Sequence, residues 1–296
     1  MTILSVQGLT KYYGNICALS NVSFSVPQGC VFGILGPNGS GKTTLLSIIT
    51  SILKPSSGTY ALFDEPPKDA HRRNMGALLE TPNFYHYLSA VKNLKISAAI
   101  KEKGEENIDT TIETVGLSHR KNSAFSTYSL GMKQRLAIGA ALLSDPEVLI
   151  FDEPTNGLDP EGIADIRSLI KELAKKGKTI IMASHLLDEV EKVCTHVAIL
   201  KKGNLIASGK VDEIFITDDI VMVNADNLAL LNDAARHLPG CNEVKEKEDA
   251  LELHFNPGTV QLAAINSYFF SKGIILSQLQ LKRSSLENKF FQLTGK

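Results

Sequence analysis

The sequence predicts an α/β protein of two domains, an N-terminal domain over residues 1–215 and a small α+β domain over residues 216–296. Three observations predict this organisation. The chain has 296 residues, and one domain commonly has about 150. Up to about residue 215, short β-branched runs alternate with helical periods, which is typical of a parallel sheet with crossover helices. Beyond that point the predicted order is strand, helix, two strands, helix and strand, with Asp226 as the cap of the first helix and the second helix over residues 258–272.

The composition restricts the classes of partner. With 43% hydrophobic residues the chain can build ordinary packed cores, which excludes disorder as its main state. Its 31 basic and 32 acidic residues give a net charge of -1 and no global field for nucleic acid. The apolar runs fall short of the about 20 residues that cross a bilayer, and the N-terminus lacks the pattern of a secretory signal. The four cysteines form no CxxC pair, so we expect reduced thiols.

The first element with a chemical signature is a glycine-rich loop after the apolar run Val31–Leu35. The loop reads Gly36-Pro37-Asn38-Gly39-Ser40-Gly41-Lys42-Thr43-Thr44 and leads into a helical segment. It satisfies G-x-x-x-x-G-K-[ST] in a strand-loop-helix context. Glycines let successive N–H groups point at phosphate oxygens, and the helix N-terminus adds partial positive charge. Lys42 supplies a charge for the outer phosphates and Thr43 a hydroxyl for Mg²⁺, so the loop predicts a nucleotide site.

Two further strands end in side chains that suit this site. An apolar strand over 147–151 is followed by Asp152 and Glu153, and a later strand over 178–183 leads to His185. In a parallel sheet, ligands gather at the carboxyl ends of the strands. We therefore expect Asp152 to hold Mg²⁺ and Glu153 to polarise a water that attacks the γ-phosphate. His185 is expected at the same edge.

A second motif lies between the glycine-rich loop and the acidic strand. It reads Tyr128-Ser129-Leu130-Gly131-Met132-Lys133-Gln134-Arg135-Leu136. This segment resembles the LSGGQ signature, with its following basic residues, of the ATP-binding subunits of ABC transporters, and the match covers about residues 1–215. The residues that keep their places are Ser129, Gly131, Gln134, Arg135 and Leu136. Leu130 and Met132 replace a Gly and a Gln. The resemblance implies the P-loop NTPase fold of ABC ATPases, with a helical subdomain that carries the signature.

The resemblance also implies a mechanism and partners. Ser129 and Gly131 would serve the nucleotide on the opposite subunit, so the family plan is a head-to-tail dimer with two composite ATP sites. The ligands would be ATP and Mg²⁺, and hydrolysis would drive a separate integral membrane permease. The dimer could be a homodimer or a heterodimer with a related ATPase. The chain is then expected in the cytoplasm, peripheral on the inner face of the membrane, without nucleic acid.

Other positions acquire roles from the family. Tyr13 matches the aromatic residue that stacks on adenine, with Tyr12 as an adjacent alternative. Asp159 lies in the loop that lines the dimer seam, and His185 matches the switch histidine that contacts the γ-phosphate. Glu80 stands where the family usually has Gln, and we expect it to contact Mg²⁺ or water and to sense the nucleotide with altered coupling.

Glu80, together with the Ser-Leu-Gly-Met-Lys-Gln-Arg segment, resembles the exporter branch that includes bacitracin-resistance and lantibiotic self-protection transporters. Two other classes compete with an exporter subunit. A soluble ABC protein acting on DNA or ribosomes typically carries two cassettes or a coiled-coil insertion, whereas this chain has a single phosphate loop, no heptad run and no basic patch. A nucleotide-binding module for conformational signalling is the other, and a co-purifying membrane partner would exclude it.

Two segments leave their role open. The aromatic residues Phe84, Tyr85 and Tyr87 predict either a core cluster or a groove for a cytoplasmic helix of the membrane subunit. The second domain has the β-α-β-β-α-β order of a ferredoxin-like fold. As an accessory or regulatory domain it could pack, stabilise a dimer, touch the permease or sense a ligand. A capping box at 284–287 predicts a last short helix.

Overall fold

The structure is a computed structural model, and it describes residues 1–79, 83–214, 219–247 and 250–283. Glu80 and the predicted helix after residue 284 lie outside the described residues. The chain divides into two compact units, Met1–Ile214 and Phe215–Lys296. In the described ranges, no helix combines the length and the apolar character that crossing a membrane requires.

The first unit alternates strands and helices along the chain. Its strands are β1 (Thr2–Tyr13), β2 (Ile16–Pro27), β3 (Val31–Leu35), β4 (Ser57–Leu62), β5 (Met75–Leu78), β6 (Val148–Asp152), β7 (Thr179–Ser184), β8 (His196–Lys201) and β9 (Asn204–Lys210). Its helices are α1 (Lys42–Ile49), α2 (Asp69–Arg73), α3 (Ala90–Lys101), α4 (Ile108–Thr114), α5 (Leu130–Leu142), α6 (Pro160–Lys175), α7 (Leu187–Val193) and α8 (Val211–Ile214).

The main sheet of this unit determines where the site lies. Its strand order is β5-β6-β7-β3-β8-β9, parallel from β5 to β8, with β9 antiparallel at the edge. Strands β3, β6 and β7 are buried at every residue, as their unbroken apolar runs predict for a sheet covered on both faces. Leu35 pairs with Ser184 and Asp152 with Ala183. The three strands therefore end at one edge, as predicted.

A smaller antiparallel sheet, in the order β2-β1-β4, completes the core of the first unit. The helix after the glycine-rich loop, α1, buries Leu45, Leu46, Ile48 and Ile49 in a cluster that also contains side chains of β1, β2, β3 and β6. Because α1 packs against residues of both sheets, its N-terminus is held in one position.

The second unit has the predicted β-α-β-β-α-β order. Its elements are β10 (Asp219–Asn224), α9 (Leu228–Ala235), β11 (Cys241–Glu246), β12 (Leu251–Phe255), α10 (Leu262–Ser271) and β13 (Gln278–Arg283). The antiparallel sheet has the order β11-β12-β10-β13, so β12 lies between β10 and β11 in the split arrangement of ferredoxin-like folds. Its core includes Val223, Leu253 and Phe269.

Two helix starts in this unit differ from the sequence prediction. Asn227, and not Asp226, caps α9, because its Oδ1 accepts a hydrogen bond from the Leu230 N–H at 3.1 Å. The second helix was predicted from Gly258, but α10 begins at Leu262. Gly258 has a φ of 74° and donates its N–H to Asp219 Oδ2 at 2.8 Å, which holds this segment as a turn.

Candidate functional site

The glycine-rich loop connects the end of β3 to the start of α1. At two of its glycines, close contacts with backbone atoms leave no room for a side chain. A Cβ at Gly36 would lie 2.3 Å from the backbone oxygen of Leu200. A Cβ at Gly41 would lie 2.5 Å from the backbone oxygen of Ala18, and Gly41 has a φ of 105°. Ser40 is 2% exposed, and its Oγ has no hydrogen-bond partner among the described residues. The loop thus keeps a polar cradle with one unsatisfied hydroxyl.

The loop lysine is directed back over this cradle. Lys42 is 6% exposed, and its Nζ donates to the Gly36 carbonyl oxygen at 2.8 Å and to that of Pro37 at 3.4 Å. The same Nζ lies 3.2 Å from Oε1 of Glu153. Since a buried cation is stable only when it is paired, Lys42 ties the phosphate loop to the end of β6.

Glu153 lies between Lys42 and His185. Its Oε2 is 2.8 Å from Nδ1 of His185, and the carboxylate is acceptor-only when ionised, so the ring donates from Nδ1. The His185 backbone N–H also faces Oε2, at 3.4 Å. Glu153 has a φ of 49° and donates its own N–H to the Ala183 oxygen at 3.0 Å. The structure brings these three predicted residues into one cluster at the sheet edge.

The predicted metal ligands offer the oxygen atoms that Mg²⁺ prefers. Asp152 ends β6 and is 5% exposed, and Thr43 lies exposed in the first turn of α1. Hydroxyl and carboxylate oxygens of this kind, combined with substrate phosphates, make a typical magnesium site. The buried Ser40 hydroxyl at the loop adds a further unsatisfied oxygen. The donor set therefore fits Mg²⁺ beside a phosphate group.

The signature segment forms a separate groove with the loop before α6. Ser129 caps α5 by accepting the Met132 N–H at 3.3 Å, and Asp159 caps α6 by accepting the Gly162 N–H at 3.0 Å. Together with Gly131, these residues line a groove of about 370 Å³. Among the described residues that line it, none belongs to the phosphate loop. In one chain the signature groove and the phosphate loop are thus separate.

The predicted adenine contact is an exposed aromatic at the tip of the hairpin between β1 and β2. Tyr13 is 45% exposed and Tyr12 is 51% exposed. Lys11 Nζ lies 5.3 Å from the centre of the Tyr13 ring and donates to the Lys54 oxygen at 2.8 Å. Both tyrosines are accessible, so Tyr12 stays an alternative to Tyr13 as the residue that would stack on adenine.

The aromatic segment before α3 divides between core and surface. Phe84 packs edge-on against Phe125 with ring centres 5.3 Å apart, whereas Tyr85 and Tyr87 are 52% and 76% exposed. The segment is held by Asn93, which is 1% exposed. Its Oδ1 accepts the Tyr85 N–H at 2.9 Å, and its Nδ2 lies within 3.3 Å of three backbone oxygens.

Two ion pairs around α6 were not predicted. Arg135 Nη1 lies 3.5 Å from Asp165 Oδ2, and Arg167 Nη2 lies 2.6 Å from Glu189 Oε1. Each pair joins different helices, so no local spacing in the sequence marks it.

Comparison with known proteins agrees with this geometry. A family model described as ABC transporter matches residues 19–156. The bacitracin transport ATP-binding protein BcrA of Bacillus licheniformis is 35% identical over 303 residues, covering 99% of this chain and 98% of that protein. The lantibiotic transport ATP-binding protein SrtF of Streptococcus pyogenes is 36% identical over 210 residues, covering 71% of this chain and 92% of that protein.

A solved structure shares the fold of the first unit. It is the dimeric post-hydrolysis state of the ATP-binding cassette MJ0796 bound to ADP and Pi, with a TM-score of 0.63 and 26% identity, covering 71% of this chain and 99% of that chain. The predicted resemblance and fold class are thereby confirmed. The chain belongs to the ATP-binding subunits of ABC transporters, and it is the ATPase subunit of a transport system.

Proposed function

We propose that this subunit drives the export of bacitracin-like or lantibiotic-like peptides through a separate permease. It would act as a head-to-tail dimer on the cytoplasmic face of the membrane. Relatives named for bacitracin and lantibiotic transport support peptides as the class of substrate, since the alignment with the first of them covers 99% of this chain. The dimeric state of the MJ0796 cassette supports the dimer.

The cluster at the sheet edge carries the hydrolytic assignment. Glu153 is held by Lys42 on one oxygen and by His185 on the other, at 3.2 and 2.8 Å. A carboxylate fixed in this way can accept the proton of an attacking water, which is the task of a general base in phosphoryl transfer. Lys42 moves its charge from loop carbonyls to phosphate oxygens, and His185 donates to the γ-phosphate from Nε2 when the ring carries both protons.

The remaining site residues bind and orient the nucleotide. Residues 36–44 surround the phosphates, with backbone N–H groups from residues other than Pro37, which has none, and Tyr13 stacks on adenine. Thr43 and Asp152 would hold Mg²⁺, and we assign Glu80 to the same ion. When bound, Mg²⁺ neutralises charge on the phosphate oxygens.

The second half-site serves the partner's nucleotide. Ser129 and Gly131 lie at the N-terminus of α5, where backbone N–H groups and the helix dipole favour a phosphate. Asp159 lies in the same groove and would line the dimer seam. Because the groove shares no lining residue with the loop of its own chain, as far as the described residues extend, a second subunit is needed to complete each site.

The permease would dock beside the exposed tyrosines. Tyr85 and Tyr87 contact each other edge-on with ring centres 6.1 Å apart, and Tyr85 also lines a groove along α3. Aromatic side chains of this kind are enriched at protein interfaces. Along the chain, the two tyrosines follow Glu80, which itself follows β5. A permease docked at the tyrosines can therefore respond to the nucleotide that Glu80 is proposed to sense.

The substitution Glu153→Gln tests the assignment. The amide keeps the size and a hydrogen-bond acceptor but takes up no proton, so we expect retained ATP binding, a longer-lived dimer and a loss of turnover of at least about 100-fold. ATPase assays and size-exclusion chromatography with ATP measure both effects. Glu147→Gln, exposed just before the other end of the same strand, is the matched control. Undiminished hydrolysis by the Glu153 variant would exclude the role.

The transport assignment needs a membrane readout. In cells that carry the complete system, the Glu153→Gln variant should remove resistance to the exported peptide. Tyr87→Ala should leave the ATPase activity of the purified subunit intact and reduce export. A subunit that isolates without any membrane protein, and whose loss leaves peptide resistance unchanged, would contradict an exporter.

A further inference from the structure

Helix α6 lies between α5 and α7 and makes an ion pair with each of them. Asp165 of α6 pairs with Arg135 of α5, and Arg167 of α6 pairs with Glu189 of α7. At 3.6 residues per turn, positions 165 and 167 point about 200° apart around the helix. The two pairs therefore extend from opposite sides of one helix.

The pair with α7 differs from an ordinary surface pair. Glu189 is 5% exposed and Arg167 is 24% exposed, and the Arg167 Nε is buried without a hydrogen-bond partner among the described residues. Buried charges are costly unless they are paired, so such a pair has one favourable arrangement of the two helices. By contrast, Lys192 and Asp188 on α7 are 46% and 66% exposed and lie one turn apart on the same helix.

Each of the three helices begins beside a half-site. Ser129 caps α5 and Asp159 caps α6, both in the groove for the partner's nucleotide. Helix α7 begins at Leu187, directly after His185 and Leu186. A displacement of the signature helix is thus linked, through α6, to the residue that holds Glu153 in the chain's own site.

Helix α7 also packs closely on the strand that precedes the phosphate loop. A Cβ at Gly33 of β3 would lie 2.9 Å from Cys194 Sγ and 3.0 Å from Val190 Cγ1, so the two elements are in close contact. The position of α7 therefore bears on β3 as well as on the turn that carries His185.

We propose that α6 couples the two ATP sites of the dimer, with Arg167 and Glu189 as positioning residues for His185. The inference rests on the head-to-tail dimer proposed above. When the signature closes on the partner's ATP, α5 pulls on α6 through Arg135 and Asp165. Arg167 then sets the position of α7, and the chain's own site closes with it. Discrete packed elements of this kind carry coupling between distant sites.

The test removes the buried pair as a whole. In the double variant Arg167→Met/Glu189→Leu no buried charge is left without a partner, and such replacements often preserve the fold. With full-length protein, ATPase rates are measured against ATP concentration. We expect cooperative hydrolysis in the wild type, with a Hill coefficient near about two, and a value near about one in the double variant. ATP binding by the single subunit should not change.

Three further variants separate coupling from structure. The exchange Arg167→Glu/Glu189→Arg restores a pair and should restore cooperativity, which a general packing defect would not allow. Lys192→Ala/Asp188→Ala removes the exposed pair of the same helix and should behave as wild type. Asp165→Asn, on the other side of α6, should lower the Hill coefficient as well.

The outcomes are distinct. Unchanged cooperativity in the folded double variant overturns the coupling role, as does a reduced Hill coefficient that the exchanged pair fails to restore. If wild-type protein does not dimerise with ATP, the proposed dimer itself fails, and this is visible before any variant of α6 is made. Lost cooperativity with rescue by the exchange supports the inference.

Discussion

At Gly36 the phosphate loop passes so close to Leu200 that no side chain fits between them. We expect Gly36→Ala to displace the loop, because the opposing atom at 2.3 Å is backbone and cannot rotate away. The loss of ATP affinity should exceed about 100-fold, with a destabilisation of about 1–3 kcal/mol as in overpacked sites.

Gly39 of the same loop is the control for this prediction. It has a φ of 77°, but a Cβ there meets nothing within 4 Å. Gly39→Ala therefore incurs only the backbone strain, about 1–2 kcal/mol. Isothermal titration with ATP and urea unfolding compare the two variants. Equal loss of ATP binding in both would show that the close contact at Gly36 is not what matters.

The cysteines give a prediction for pH dependence. Burial raises the pKa of the Cys30 thiol to about 11, and burial raises the pKa of Cys194 above its usual range. Both thiols are therefore neutral at pH 8.5, and only a thiolate reacts rapidly with an alkylating reagent. We expect iodoacetamide to label Cys17, which is half-buried, well before Cys30 or Cys194. Mass spectrometry of the native protein measures this order.

The labelling of Cys30 should rise as the pH approaches 11, since its thiolate forms there. Denatured protein is the control, and it should label at all four positions, because unfolding removes the burial that raises the pKa. Rapid labelling of Cys30 at pH 8.5 in the folded chain would contradict its burial beside β3.

At the scale of elements, Asn93 fixes the aromatic segment that precedes α3. Asn93→Ala removes an acceptor for the Tyr85 N–H and a donor to three backbone oxygens. We expect a destabilisation of about 2–3 kcal/mol, because buried polar groups lose their partners. Hydrogen exchange should increase over 83–89 ahead of the rest of the unit. Tyr87→Ala, on the exposed part of the same segment, should leave both quantities unchanged.

Contiguous motifs made much of the site predictable at this scale. The loop at 36–44, the strand that ends at Asp152, and the turn at His185 are each specified by neighbouring residues. A fully buried parallel strand is also visible as a continuous apolar run, so β3, β6 and β7 lie where the sequence predicts them. Their shared edge follows from parallel topology alone.

The contacts between helices were not predictable in this way. Arg167 and Glu189 are 22 positions apart on two helices, and many other charges could have been paired with either. The start of α10 was placed wrongly because the hydrogen bond from Gly258 to Asp219 connects two distant segments. Asp226 and Asn227 are equally good caps by residue type, and the backbone geometry decides between them.

For the whole molecule, the two units have separate hydrophobic cores. Among the described residues, no side chain belongs to both clusters. We therefore expect two transitions in calorimetry. Saturating ATP should raise only the first unit's transition, by an amount that corresponds to about 2.7 kcal/mol at 100 times Kd. Leu253→Ala should lower only the second unit's transition, with a cost of about 2–5 kcal/mol.

Leu62→Ala in β4, buried to the same extent as Leu253 and a member of the first unit's cluster, is the matched control for the other core. It should lower the transition that ATP raises. A single transition that both variants and ATP shift together would mean that the units unfold cooperatively.

At Glu153 an unfavourable backbone conformation and a favourable ion pair with Lys42 act on the stability of the fold in opposite directions. A φ of 49° costs a glutamate about 1 kcal/mol or more, and glycine adopts it freely. A laboratory selection for heat resistance alone would thus meet two opposing effects, because glycine relieves the backbone but leaves the buried Lys42 cation without its carboxylate. Survivors with glycine at this position would carry a second substitution that removes that cation, and sequencing would show the two changes together.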